Sequence, residues 1–153
     1  MISYYTLTKG LYDHLIADED ITTCVIGALD DVDINKQTIF PLAHIFVGSA
    51  TLKGGTVSYP VTISTMDLLD IKKDNPIKGE WKGQDNKQYI LNTMLAVHEN
   101  LRAALDKGSF QALGWELIGD YNCEAFEDRF ENLLTGWSAS ITIEIPNTVQ
   151  NCG

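Results

Sequence analysis

The strongest constraint on the fold is a stretch of strict alternation near the C-terminal end. Trp137, Ala139, Ile141, Ile143 and Ile145 take every second position, with Ser138, Ser140, Thr142 and Glu144 between them. Side chains of a strand point alternately to its two faces, so this segment must have one buried and one wet face. It therefore belongs to a sheet covered on one side, and Pro146 ends it. The same period recurs at Val57, Tyr59, Val61 and Ile63, opposed by Ser58, Thr62 and Ser64. From Pro41 onward, Ala43, Ile45 and Val47 alternate with His44, Phe46 and Gly48. The segment 51–56, TLKGGT, carries two adjacent glycines and predicts a hairpin turn between the last two strands.

Helices supply the cover. Tyr4, Leu7, Leu11 and Leu15 recur at helical spacing behind Ser3, a residue type that caps, and the run Asp18-Glu19-Asp20 ends the segment. Gly10 falls inside it and costs about 1 kcal/mol relative to Ala. The second helix is better signalled. Asp85 and Gln88 approximate a capping box, Ile90, Met94, Val97, Leu101 and Ala104 or Leu105 form one stripe, and Lys107-Gly108 closes it. A short strand is expected at 24–27. A further strand is expected over 115–124, with Trp115, Leu117, Tyr121 and Cys123 alternating with Glu116, Asp120 and Glu124. A tight, partly helical connection at 126–134 then leads to the last strand. The expected fold is α+β, a mostly antiparallel sheet with two covering helices in the order α-β-β-β-α-β-β. At 153 residues the chain suits one domain, expected over 1–147, with 148–153 as a loose tail.

Charge narrows the function. Lys and Arg total 11 against 21 Asp and Glu, a net charge of -10. A sequence-reading nucleic-acid binder needs a basic footprint, so that class is disfavoured. The acids cluster: residues 1–35 carry seven against Lys9, and 116–131 carry six against Arg129. Five of the bases sit together instead at Lys72, Lys73, Lys78, Lys82 and Lys87. All five, with Trp81, belong to the long segment 71–88, broken by Pro76, Gly79 and Gly83. Loops of that length in compact domains are usually functional or disordered. Lys72, Lys73, Lys78, Trp81 and Lys82 are therefore candidate interface residues, as is the 51–56 hairpin.

No catalytic constellation emerges. His98-Glu99 opens like a zinc-protease helix, but Arg102 stands where the second histidine belongs. Cys24, Cys123 and Cys152 lack metal-ligand spacing, and their odd number without a secretory leader suits reduced thiols. Gly136-Trp137-Ser138 is not a nucleophile elbow, since position 140 is Ser. The expectation is a non-enzyme without cofactor or metal, made in a cytoplasm, with no membrane span. The carboxylates Glu116, Asp120 and Glu124, four apart in one strand, would share a face. Repeated around a ring of identical subunits, that face gives belts of negative charge lining a pore.

The segment Glu124–Asn147, EAFEDRFENLLTGWSASITIEIPN, resembles the tail terminator, or tail completion, proteins of long-tailed bacteriophages. The strand pair around Pro41 and Val57–Asp67, and the long loop into the helix at 86, match the layout of that family. The resemblance implies a virion protein forming a homohexameric ring at the head-proximal end of the tail. Such a ring stops tail-tube growth, contacts the tube protein and the neck or connector proteins, and lets genomic DNA pass. The alternatives are another neck, connector or tail-tube ring protein, or a non-viral assembly module.

Overall fold

In the computed structural model, residues 3–27, 39–69, 87–129 and 133–147 are described, with 128, 129 and 133 given by backbone alone. The described residues form an α+β fold. Helix α1 (Ser3–Ala17) precedes β1 (Thr23–Ile26), β2 (Leu42–Val47), the two-residue β3 (Thr51–Leu52) and β4 (Thr56–Leu68). Helix α2 (Lys87–Lys107) and the single turn α3 (Ser109–Ala112) lead to β5 (Glu116–Ile118), β6 (Cys123–Arg129) and β7 (Leu133–Pro146). The strands make one sheet in the order β1-β2-β4-β7-β5, with β3 on β4 and β6 on β7. Among the described residues only β1 and β2 run parallel. The expected cap Asp85 and the tail at 148–153 lie outside the described residues.

The long central pair β4 and β7 stays in register from Thr56 opposite Pro146 to Leu68 opposite Leu134. Their inward rows, Val57, Tyr59, Val61 and Ile63 against Ile145, Ile143, Ile141 and Ala139, are buried as alternation requires. Leu7, Leu11 and Leu15 of α1 and Ile90, Met94, Val97, Leu101 and Leu105 of α2 pack on this face. Burying each such aliphatic chain contributes about 1.5–3 kcal/mol. A smaller cluster, Phe40, Leu42, Met66 and Leu134, lies apart from this core. Register puts Leu42, Met66 and Leu134 on the opposite face, at one end of the sheet.

The predicted hairpin at 51–56 is present: the Lys53 N–H donates to the Thr56 carbonyl at 2.9 Å. Between β2 and β3, residues 48–50 oppose only Tyr59 and Pro60 of β4, a one-residue bulge that reverses facing. Pro60 fits a central strand at this point. Its carbonyl accepts from the Gly48 N–H at 2.8 Å, so the side of the strand where its own N–H is missing faces the bulge.

Three expectations need correction. The strand expected over 115–124 is two strands, β5 and β6, parted by residues 119–122. The connection expected at 126–134 is not helical at its described positions, because β6 continues to Arg129 and β7 begins at Leu133. Pairing with β7 outweighs the weak helical pattern there, with Phe126 opposite Gly136 and Glu127 opposite Thr135. Ser3 is a helical residue and its hydroxyl meets the Tyr59 hydroxyl at 2.6 Å, so it anchors α1 to β4.

Gly10 is explained by packing. Phe110 and Trp115 stack with centroids 4.5 Å apart, and a Cβ on Gly10 would sit 2.7 Å from Trp115 Cη2. Gly10→Ala gains up to about 1 kcal/mol in helix propensity but overpacks the stack by about 1–3 kcal/mol. A lower melting temperature is expected, and a rise would show that Trp115 yields without strain.

Candidate functional surface

Helices α1 and α2 lie on one side of the sheet, and the other face carries a distinct chemistry. Register defines its rows. Leu42, Met66, Gly136 and Phe126 make an apolar row at one end. Next come His44, Ser64, Ser138 and Glu124, then Phe46, Thr62 and Ser140. Pro60, Thr142 and Ile118 follow, and Ser58, Glu144 and Glu116 close the far end. The middle is hydroxylic: Thr62 and Ser140 oxygens lie 3.3 Å apart, and those of Ser64 and Ser138 3.1 Å apart. Cross-strand hydroxyl pairs of this kind stabilise a sheet modestly and leave its surface polar.

The acidic end is built against a local cost. Glu116 and Glu144 stand directly opposite each other on β5 and β7, where like charges repel. Glu144 is compensated on its other side. Lys53 Nζ reaches Glu144 Oε2 at 2.9 Å, and Thr56 Oγ1 donates to Oε1 at 2.9 Å. The hydrogen bond from Lys53, then that from Thr56, holds the Glu144 carboxyl below its usual range. Glu116 stays exposed.

Of the three carboxylates singled out in the sequence, Glu116 and Glu124 share this outer face and are exposed. Asp120 is exposed but lies between β5 and β6, outside either strand, so the idea of one continuous acidic strand is corrected. The candidate interface residues Lys72, Lys73, Lys78, Trp81 and Lys82 lie outside the described residues. In the 51–56 hairpin, Leu52 is 79% exposed. The clamp on Glu144 has no local signature, because Lys53 and Thr56 lie 91 and 88 positions away in sequence. The only signal for it is a glutamate in an otherwise Ser/Thr outward row.

A second polar feature sits on the helix side. His98 of α2 is 1% exposed. Its Nδ1 is 2.6 Å from the Tyr121 hydroxyl, and its Nε2 is 3.2 Å from the Trp137 carbonyl. A neutral ring donating from Nε2 and accepting at Nδ1 satisfies both partners. The Trp137 indole N–H in turn donates to the Leu91 carbonyl at 2.7 Å. An open cleft of ≈ 280 Å³ adjoins, lined by Leu95, His98, Glu99, Arg102, Tyr121, Asn122 and Cys123. Burial raises the Cys123 thiol above its usual range, which disfavours a nucleophilic thiolate.

Among the described residues no group of three or more His, Cys, Asp or Glu is placed to hold a metal ion. No helix of the described residues is long and apolar enough to cross a membrane. No protein-family model and no curated protein matches the chain.

Proposed function

We propose that the chain is a structural subunit of a ring at the head-proximal end of a bacteriophage tail. It terminates the tube, joins it to the neck, and carries no catalysis. On this reading the sheet turns its acidic and hydroxylic outer face toward the passage for DNA. The observation that carries the proposal is that face: Glu116, Glu124 and Glu144 stand on it beside Ser and Thr, and its neighbouring cation Lys53 is paired with Glu144. A duplex passing such a wall meets like charge and few cationic sites to hold it. Mutual repulsion of the repeated carboxylates is limited by salt, whose screening length is about 8 Å at 0.15 M. The 71–88 segment, carrying the basic cluster, is assigned to contacts between subunits or with the tube and neck proteins.

Electron microscopy of the purified protein, alone and with its tail-tube partner, tests for rings with a central opening. The surface assignment has its own test. Changing Glu116 and Glu124 together to Lys alters exposed groups of this face, so folding and ring formation should persist. Particles carrying the variant should eject DNA slowly or stall, and the isolated rings should retain duplex DNA in a salt-sensitive way. Ejection at the wild-type rate, or rings with these residues on the outer wall, would remove the basis for the conduit.

A further inference from the structure

The edge made by β5 and β6 is interrupted in a specific way. Both strands pair with the same side of β7, Ile118 opposite Thr142 and Cys123 opposite Ala139. Four residues, 119–122, thus stand against Ser140 and Ile141 alone. An excess of two preserves alternation, so Glu116 and Glu124 keep the same face on either side of the break. The one-residue bulge at 48–50 reverses facing, and this break does not. What it changes is the continuity of the edge.

The excursion is held in place. Gly119 turns the chain at φ +78, a conformation that disfavours other residues. Asp120 and Asn122 are exposed to solvent. Tyr121 turns to the helix side, where its hydroxyl meets His98 and the two rings pack edge-on with centroids 5.6 Å apart. His98 is itself fixed to β7 through the Trp137 carbonyl. The excursion is thereby tied both to α2 and to the strand it interrupts.

We propose that this break is a guard that closes the β5–β6 edge to strand addition by a second copy of the chain, with Tyr121 latched on His98 to keep it in place. Among the described residues, β5 and β6 pair only with β7, so their outer backbone groups form an edge that a second strand could extend. An unbroken strand over 116–129 would offer a long template. The bulge interrupts it, and the exposed Glu116, Asp120 and Glu124 repel the same edge of another copy. The inference does not depend on the ring assignment, since it concerns which edge is closed whatever the assembly.

Deleting Gly119 and Asp120 removes the excess and joins β5 to β6 in one register, with Tyr121 opposite Ile141 and Asn122 opposite Ser140. The deletion variant should keep the wild-type circular dichroism spectrum. It should also add a species of about twice the wild type's own sedimenting mass as copies pair edge to edge. That species should increase as salt is raised to about 0.5 M, because screening relieves acid-acid repulsion. Amides of 116–129 should exchange more slowly in the associated form. A folded deletion variant with wild-type mass and exchange would overturn the proposal. Tyr121→Phe tests the latch without altering length: on loss of the hydroxyl contact the variant should also populate the species of doubled mass, about tenfold more than wild type at the same concentration. A wild-type mass distribution in that variant would overturn the proposal as well, whether or not the deletion folds.

Discussion

Gly136→Ala is expected to prevent stable folding, or to cost at least about 3 kcal/mol, although it adds one methyl group. Gly136 lies within β7, opposite Met66 of β4, where the backbones of the two longest strands leave no room for a side chain. A Cβ there would fall against the Thr65 carbonyl, 2.8 Å from its carbon and 2.9 Å from Met66 Cα. These are backbone atoms of the central strand, so no side-chain rotation can make room. Separating β4 from β7 at this point would disturb the adjacent pair Thr65–Trp137 and the buried Leu42–Met66–Leu134 cluster together. Thermal melts and soluble yield measure the effect. A variant melting within a few degrees of wild type would show that the strands have slack. By contrast, a Cβ on Gly54 or Gly55 in the hairpin would meet nothing within 4 Å, so Ala at either site should be tolerated far better.

The contrast between these glycines also shows what is legible in the sequence. Gly136-Trp137 reads as a turn preceding a strand, since Gly usually punctuates chains. Only the partner strand, far earlier in the chain, reveals that closeness of two backbones is the reason for the glycine. The alternating rows of β4 and β7, the stripes of both main helices and the glycine hairpin are readable because each depends on local period. The break between β5 and β6 is not. Its two extra residues preserve the alternation of Glu116 and Glu124, so a continuous strand and an even bulge leave the same sequence pattern. The candidate surface is half readable for the same reason. Two of its acids lie on one alternating segment, whereas the clamp of Lys53 and Thr56 on Glu144 exists only once β3, β4 and β7 are assembled.

The buried histidine should make the fold acid-sensitive well above the range where exposed carboxylates titrate. Burial, only partly opposed by the hydrogen bond to the Trp137 carbonyl, pushes His98 down to about 4. In the unfolded chain the same ring takes a proton near pH 6.5. Between these values the unfolded state binds a proton that the folded state refuses, so stability falls as pH falls. The full contribution, about 3 kcal/mol, is present above pH 6.5 and is lost progressively down to about pH 4. His14, shifted down by burial with Asp18 opposing and packed against Phe110, adds in the same direction. Asp67 works the other way. Burial raises its carboxyl despite the Leu68 N–H that it accepts at 2.7 Å, so protonating it at low pH favours the folded state. Both of these groups are shared by wild type and a His98 variant, so their contributions cancel in the comparison. Urea denaturation of wild type and His98→Asn at about pH 7.5 and about pH 4.5 isolates the His98 effect. The variant is expected to be weaker at neutral pH, having lost the bond to Tyr121, but to show a shallower decline toward acid. The His98 ring proton resonances should hold their neutral positions down to about pH 5. Titration of that ring near pH 6.5, or an equal pH slope in the variant, would mean that the Tyr121–His98–Trp137 chain is open to water and cannot anchor the β5–β6 break.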